Sequence, residues 1–311
     1  MMELRNEKQA LNTFARERPF LLGAVIFWLA LLLVGSLLFI GNDLRSWPIL
    51  QVADGRRLDL RDFILPLGSG HVLLVGANHD NMRHHRYQLA LIQELHEKAK
   101  LPLAIGLETF EAANQPVLDA WIAGKISLLK FLTLYYRNWG EDWRLYKDIF
   151  LYARDNRIAL IGLNAPKEVL QKVGQKGFAA LDQQDRSQLP GQITCDADGA
   201  YEEFIAKAYD RNSGNNVSFR SFCEAQILLD TVMATNIFNY ISKHSDRLLV
   251  VLARNGHCLK QAIPQQLERH VNIPYSVVLP ETWKENRFNT TKKETDYLWL
   301  YDFIPEFPTP H

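Results

Sequence analysis

The chain alternates between short apolar runs and longer segments in which apolar residues recur at helical spacing. Four of the runs lead into a polar side chain, namely His79, Glu108, Asn164 and His257. The first run, at 72–75, is too short and too rich in β-branched residues for an amphipathic helix, and a helical pattern follows it. This alternation predicts an α/β fold with a mostly parallel sheet flanked by helices.

The polar residues that follow the four predicted strands are candidates for one site. The carboxyl ends of parallel strands meet at the same edge of a sheet, where backbone groups and helix termini face a crevice. We therefore expect His79, Glu108, Asn164 and His257 to lie together at that edge. Imidazole and carboxylate groups are common acid–base partners and metal ligands, so this arrangement favours either catalysis or ligand binding.

A helix is predicted directly after the first strand, capped by Asn81 or by the aspartate before it, with His84 and His85 in its first turns. Adjacent residues on a helix point about 100° apart, so we expect at most one of these two histidines to join His79. Farther along, residues 125–147 are dense in aromatic side chains and include Tyr146. Such a cluster is typical of a core or of the wall of a pocket for a flat apolar ligand.

Breaks in the pattern divide the chain into segments. The strand and helix alternation occupies residues 71–304, which we predict to form the α/β domain. Between about 167 and 218, glycines and Asp-Gly and Ser-Gly turns interrupt it, which indicates a helical cap insertion. Residues 42–70 contain an apolar run followed by an Asp-Gly turn signal, so they are predicted to form a linker and a peripheral hairpin.

The N-terminal part of the chain carries a long apolar segment. Phe20 to Ile40 contains no charged residue and is as long as the ~20 residues that a helix needs to cross the hydrocarbon layer. We predict a transmembrane helix at 19–41 that is retained, because no small-x-small cleavage site follows it. Several basic residues precede this helix and few follow it closely, so residues 1–18 are expected in the cytoplasm and the α/β domain outside it.

Composition excludes some classes of protein. The 311 residues include 35 basic and 35 acidic residues, so the chain has no excess positive charge with which to hold a nucleic acid. Three cysteines at wide and irregular spacing fit neither a zinc framework nor a disulfide scaffold. Cys258 lies next to His257, where it is a candidate nucleophile or, as we favour, a buried inert thiol.

Several short motifs, taken in their order and spacing, resemble the ChaN-like haem-binding uptake proteins. These proteins belong to a superfamily that also contains the Tiki/TraB proteins and the erythromycin esterases, and the resemblance extends from about residue 71 to 302. The motifs are Gly76-Ala-Asn-His-Asp-Asn81 with His84-His85, Glu108-Thr-Phe110, Gln115-Pro116, Leu163-Asn-Ala-Pro166, Ala225-Gln226 with Asp230 and Met233-Ala234, and Gly256-His257.

The resemblance implies an α/β core with a helical cap and a role in haem or iron acquisition in a bacterial envelope. With the predicted helix, it implies a single-pass inner-membrane protein whose C-terminal domain lies in the periplasm, and it allows a homodimer around stacked haems. Tyr201 and Tyr209 are candidates for the axial ligand of haem, although we favour ordinary surface tyrosines at both positions. The residues that we assign to a haem site on this basis are His79, Asn81, His84, His85, Glu108, Tyr146, Asn164, Tyr209 and His257.

Two other functions stay open. In the esterase-like relatives a histidine, an acid and a late Gly-His form a hydrolytic centre, and these fall on His79, Glu108 and His257, which also suit a divalent metal such as zinc. The relatives usually carry Gly-Glu-x-His after the first strand, but Ala77 occupies the position of that glutamate here. The missing carboxylate weakens the case for hydrolysis and leaves an envelope interaction protein with a vestigial site as the third alternative.

Overall fold

The computed structural model describes residues 48–98, 102–190, 199–210, 218–269, 273–282 and 287–300. The predicted cytoplasmic tail, the predicted transmembrane helix and the residues that connect it to Pro48 lie outside these ranges. Among the residues that the structure describes, no helix has both the length and the apolar character required to span a bilayer.

The described residues form an eight-stranded mixed sheet with the strand order β2-β1-β8-β7-β3-β6-β4-β5. Strands β3 to β8 are mutually parallel, whereas β1 runs antiparallel to both β8 and β2. This arrangement confirms the prediction of an α/β fold with a mostly parallel sheet. The strands are β1 (Ile49–Gln51), β2 (Arg57–Leu58), β3 (Val72–Ala77), β4 (Leu103–Glu111), β5 (Ala159–Asn164), β6 (Leu248–Arg254), β7 (Tyr275–Pro280) and β8 (Tyr297–Trp299).

Helices connect the parallel strands, and a run of short helices lies in the region of the predicted cap. Two 3-10 turns, Ala112–Asn114 and Phe178–Ala180, supplement the α-helices. The α-helices are α1 (Leu60–Ile64), α2 (Met82–Lys98), α3 (Gln115–Ile122), α4 (Leu128–Asn138), α5 (Trp143–Asp155), α6 (Lys167–Lys176), α7 (Gln183–Ser187), α8 (Gly199–Asp210), α9 (Phe219–Ile241), α10 (Asn255–Cys258) and α11 (Ile263–Glu268).

The central strands are buried on both faces, as parallel strands covered by helices must be. On one face, Leu74 and Val251 pack with Met233 and Ile237 of the long helix α9. The alternate residues of the same strands, such as Val75, are fully buried as well. Side chains at the ends of these strands are therefore held by a rigid frame.

The aromatic cluster predicted from residues 125–147 is largely core. Phe131 and Tyr135 of α4 are completely buried, and the Phe131 ring stacks on Trp121 with ring centroids 4.2 Å apart. Phe150 of α5 completes the same packing, at 5.3 Å from Phe131. The cluster therefore fixes α4 and α5 against the end of β4, next to the edge where the polar residues emerge.

The helices of the predicted cap region pack against α9. Val169 of α6 lies in one cluster with Leu228 and Val232 of α9, and Tyr201 of α8 lies in another with Ile227. The long helix α9 therefore packs against the sheet on one side and against α6 and α8 on the other, so its side chains can contact both regions.

Gly177 directly follows α6 and lies next to α9. Gly177 has φ +76° and ψ 178°, a backbone conformation that is essentially restricted to glycine. A Cβ atom at this position would lie 2.5 Å from Oε2 of the buried Glu224, which accepts a hydrogen bond from the Phe178 amide. The residue therefore needs glycine for two independent reasons.

We predict that Gly177→Ala lowers the free energy of unfolding by about 1–3 kcal/mol, because alanine must adopt a disfavoured conformation and displace Glu224. Gly174→Ala on the same helix is the matched control, since its nearest neighbour would be Ala225 Cβ at 4.0 Å. The control should be neutral or stabilising, because alanine favours a helix by up to about 1 kcal/mol over glycine. Equal effects of the two variants in urea unfolding would contradict this assignment.

Candidate functional site

His79 lies just beyond β3, in the turn that leads into α2, and is only 5% exposed. Its Nδ1 is 2.7 Å from the hydroxyl oxygen of Tyr146, and the ring of Trp139 packs edge-on with centroids 4.8 Å apart. Its Nε2 lies 3.6 Å from Oε1 of Glu108, which is too long for a hydrogen bond. Within the described residues this buried nitrogen has no hydrogen-bond partner.

Three of the predicted site residues hold this turn in place. The backbone amide of Asn78 donates to Nδ1 of His84 at 2.9 Å, and Nε2 of His85 donates to the His79 carbonyl at 2.9 Å. Asn81 Oδ1 accepts a hydrogen bond from the backbone amide of the second residue after it. The structure therefore gives Asn81, His84 and His85 a clear role in positioning His79, whereas their contact with haem stays a prediction.

The protonation state of these histidines suits that structural role. Burial lowers the pKa of His84 to about 4, and it also lowers the pKa of His85. Both rings are therefore neutral near pH 7. A neutral His84 can accept through Nδ1, as the hydrogen bond from Asn78 requires.

Glu108 projects from β4 into the centre of the site and is 6% exposed. Its Oε2 accepts a hydrogen bond of 2.6 Å from the backbone amide of Arg254 at the end of β6. Burial opposes ionisation, but His257, His79 and the Arg254 amide together lower the pKa of Glu108 to about 2. Glu108 is therefore a carboxylate at neutral pH.

His257 lies on α10, directly after β6, and its Nε2 is 3.9 Å from Oε1 of Glu108. Its Nδ1 donates to Oδ1 of Asp230 at 2.7 Å, and Oδ2 of the same aspartate accepts a hydrogen bond of 2.8 Å from the Tyr201 hydroxyl. Burial opposes the charge on the imidazole, but Asp230 and Glu108 raise the pKa of His257 to about 9. His257 is therefore held as an imidazolium near neutral pH.

The structure brings three of the predicted site residues together. The Nε2 atoms of His79 and His257 both face the same oxygen of Glu108, at 3.6 and 3.9 Å. The two nitrogens thus lie well within the roughly 10 Å that a shared water or ion could bridge. Six polar side chains from different elements lie in a continuous line through the site, each next to the one before it. In order they are Tyr146, His79, Glu108, His257, Asp230 and Tyr201.

Of the remaining predicted residues, Asn164 and Tyr146 contact Glu108 and His79, and Tyr209 contacts aromatic side chains of α9. Asn164 ends β5, and its Nδ2 donates to the backbone carbonyl of Glu108 at 2.8 Å, so it braces the strand that carries the carboxylate. Tyr209 is half-buried on α8 and packs against Phe219 and Phe222, with ring centroids at 5.4 and 5.5 Å. Tyr146, by contrast, joins the buried line directly through its contact with His79.

The metal alternative receives no support from this geometry. Among the described residues, no three histidine, cysteine, aspartate or glutamate side chains are placed so that they could hold a metal ion together. A predicted metal set of His79, Glu108 and His257 therefore stays a prediction. Cys258 is completely buried, and burial raises the pKa of its thiol, as expected for an inert residue.

Asp230 is absent from the site predicted from sequence, and the hydrogen bond between Asp230 and Tyr201 was not predicted. Asp230 lies on the buried stripe of α9, at helical spacing between Ile227 and Ala234, and is only 1% exposed. An acidic residue inside an apolar stripe is a signal that could have marked it, because such a charge needs a buried partner. Tyr201, a candidate axial ligand from sequence, instead uses its buried hydroxyl to bind Asp230.

The fold and the site together define an α/β protein with a buried His–Glu–His–Asp centre beside a helical cap. The family described as haem-binding uptake, Tiki superfamily, ChaN matches residues 65–267. The chain therefore belongs to this family, as its motifs predicted. No curated protein sequence matches the chain.

The fold is also found in solved structures. The structure described as cofacial haem binding to ChaN of Campylobacter jejuni is 18% identical in sequence and superposes with a TM-score of 0.65. That match covers 83% of this chain and 97% of the Campylobacter chain. A mutant of the erythromycin esterase EreC in its open conformation is 15% identical, with a TM-score of 0.45 over 76% of this chain and 77% of its own.

We predict that Asp230→Asn removes most of the alkaline pH dependence of stability. An imidazole with a raised pKa stabilises the fold fully below its ordinary pKa of 6.5, and this contribution is lost as the pH rises through about 9. The wild-type free energy of unfolding should therefore fall between pH 6.5 and 9, whereas the variant, without the main charge that raises this pKa, should lose less. Tyr201→Phe, which keeps the Asp230 carboxylate, is the control and should retain the wild-type slope. Identical slopes for Asp230→Asn and wild type would refute the assignment.

Proposed function

We propose that the protein is a membrane-anchored haem-binding protein of the bacterial envelope that serves haem or iron uptake. The observation that carries this proposal is the match of the haem-binding uptake family to residues 65–267, which include His79, Glu108, Tyr209 and His257. Haem is the cargo in this proposal, so the chain must offer an axial donor beside a flat apolar surface.

The buried centre does not fit the face of a macrocycle. His79, Glu108 and His257 are 5%, 6% and 8% exposed, and their polar atoms face one another. Tyr209 fits better, because it is half-buried and lies beside the half-buried rings of Phe219 and Phe222. We therefore assign the axial ligand to Tyr209 and the apolar surface to the start of α9.

The proposal extends to assembly and location. Campylobacter ChaN is described as binding haem cofacially, so we propose that two copies of this chain face each other across stacked haems. The uncharged segment from Phe20 to Ile40 supports an inner-membrane anchor, and the basic residues before it support a domain on the periplasmic side.

A second function is favoured by a separate observation at the buried centre. Nε2 of His79 lacks a hydrogen-bond partner among the described residues, although it is buried and lies near the Glu108 carboxylate. In the tautomer that donates Nδ1–H to Tyr146, this Nε2 can take a proton from a bound water or hydroxyl group. Hydrolysis at this centre is therefore the second candidate function.

Haem titration of the full chain in detergent tests the proposal. We expect the protein to shift the Soret band of added haem from its position in detergent alone, and this shifted band reports binding. We expect Tyr209→Phe to weaken binding by at least about tenfold, equivalent to about 1.4 kcal/mol. The substitution keeps the aromatic ring and removes only the phenol oxygen. Tyr275→Phe, at a half-buried tyrosine on β7 that binds Glu268, is the matched control and should bind as wild type does.

The possible outcomes separate the two functions. Absence of this Soret shift in the wild type contradicts haem binding, and unchanged affinity in Tyr209→Phe contradicts only the assigned ligand. Ester hydrolysis without haem that is abolished by His79→Gln would instead support the second function.

A further inference from the structure

The outer face of α4 is apolar although it faces solvent. Leu129 is 77% exposed and Tyr136 is 53% exposed, and together with Thr133 they lie at positions i, i+4 and i+7 on one side of the helix. The opposite side is fixed, because Phe131 and Tyr135 are completely buried in the aromatic core. The apolar stripe is thus presented by a rigid helix.

The charged side chains on α4 are basic, and the nearest acidic residues in the sequence, Asp119, Glu141 and Asp142, lie before and after the helix. Lys130 and Arg137 are exposed on one flank of α4, and Lys125 is exposed in the turn before it. No acidic residue occurs anywhere between Ala120 and Gly140. A helix with an apolar stripe and a purely basic flank is typical of segments that lie in the surface of a membrane.

We propose that this face docks onto an anionic lipid bilayer; the proposal rests on the proposed membrane anchoring of the chain. The α4 outer face consists of Lys125, Leu128, Leu129, Lys130, Thr133, Tyr136 and Arg137. The leucines would enter the boundary between headgroups and acyl chains, and Tyr136 would lie at headgroup level. The three basic side chains would bind anionic headgroups.

Charge favours a bilayer over a second copy of the chain as the occupant. In a twofold pair of α4 outer faces, Lys130 and Arg137 would lie close to the same basic residues of the partner, which is repulsive. The sequence also places an uncharged segment of membrane-spanning length at 20–40, and only residues 41–47 separate it from Pro48. Such a connector spans at most about 25 Å, so an inserted segment would keep the domain near the bilayer.

The helix that carries the α4 outer face leads towards the candidate site. Trp139 directly follows α4, and its ring lies 4.8 Å from that of His79. A bilayer that binds α4 would therefore lie beside the helix that leads into the site.

A fluorescent label on the full chain tests the docking directly. Thr133→Cys, in a Cys195→Ser background, accepts an environment-sensitive fluorophore at the centre of the α4 outer face, while Cys223 and Cys258 are buried. The labelled chain is reconstituted into vesicles of phosphatidylcholine, with or without phosphatidylglycerol, and flotation measures anchoring separately. We expect blue-shifted emission, and quenching by nitroxide-labelled lipids, only when phosphatidylglycerol is present.

Charge reversal supplies the matched comparison. Lys130→Glu with Arg137→Glu should lower the ratio of docked to undocked protein by at least about fivefold for each basic residue removed. Lys243→Glu with Lys293→Glu makes the same change in net charge at exposed positions outside α4 and should leave docking unchanged.

Each remaining outcome overturns the proposal in a distinguishable way. A chain that floats while the label stays in water refutes docking and leaves anchoring intact. A chain that does not float refutes the anchor and the docking together, whereas haem titration still tests cargo binding. A blue shift in detergent that rises with protein concentration would show that a second copy covers the face.

Discussion

The site depends on one buried carboxylate that lies between two imidazole rings. Removing a charge from water is costly, so Glu108 can stay ionised at 6% exposure only if other groups compensate for the lost hydration. The Arg254 amide donates to one oxygen, and the imidazolium of His257 and the ring of His79 face the other. Loss of the Arg254 hydrogen bond or of the His257 charge would leave the carboxylate inadequately solvated.

This requirement links elements that are distant in the sequence. His257 stays charged because the Asp230 carboxylate on α9 accepts a hydrogen bond from its Nδ1–H, and Asp230 also accepts a hydrogen bond from the Tyr201 hydroxyl on α8. Helix α8 and the sheet edge are therefore joined by one network of hydrogen bonds and charges. Movement of α8 would therefore change the environment of His257 through Asp230.

The sequence predicts those parts of the structure that arise from local periodicity. The convergence of His79, Glu108 and His257 was predictable, because parallel strands bring side chains to one edge of the sheet. The end of β4 was predicted wrongly, since this strand continues past Glu108 to Glu111. The acidic Asp230 inside an apolar helical stripe indicated a buried partner, but the stripe did not identify that partner as His257, 27 residues away. The hydrogen bond from the Asn78 amide to His84 could not be predicted either, because it depends on the path of the backbone through the turn.

Nitrogen NMR of the histidine rings can establish whether His257 is an imidazolium held between Asp230 and Glu108. At about pH 8, above the ordinary histidine pKa and below the value of about 9 set by these carboxylates, both ring nitrogens of His257 should carry protons. The signal is assigned by its loss in His257→Gln. A His257 ring that is neutral at this pH would contradict the account.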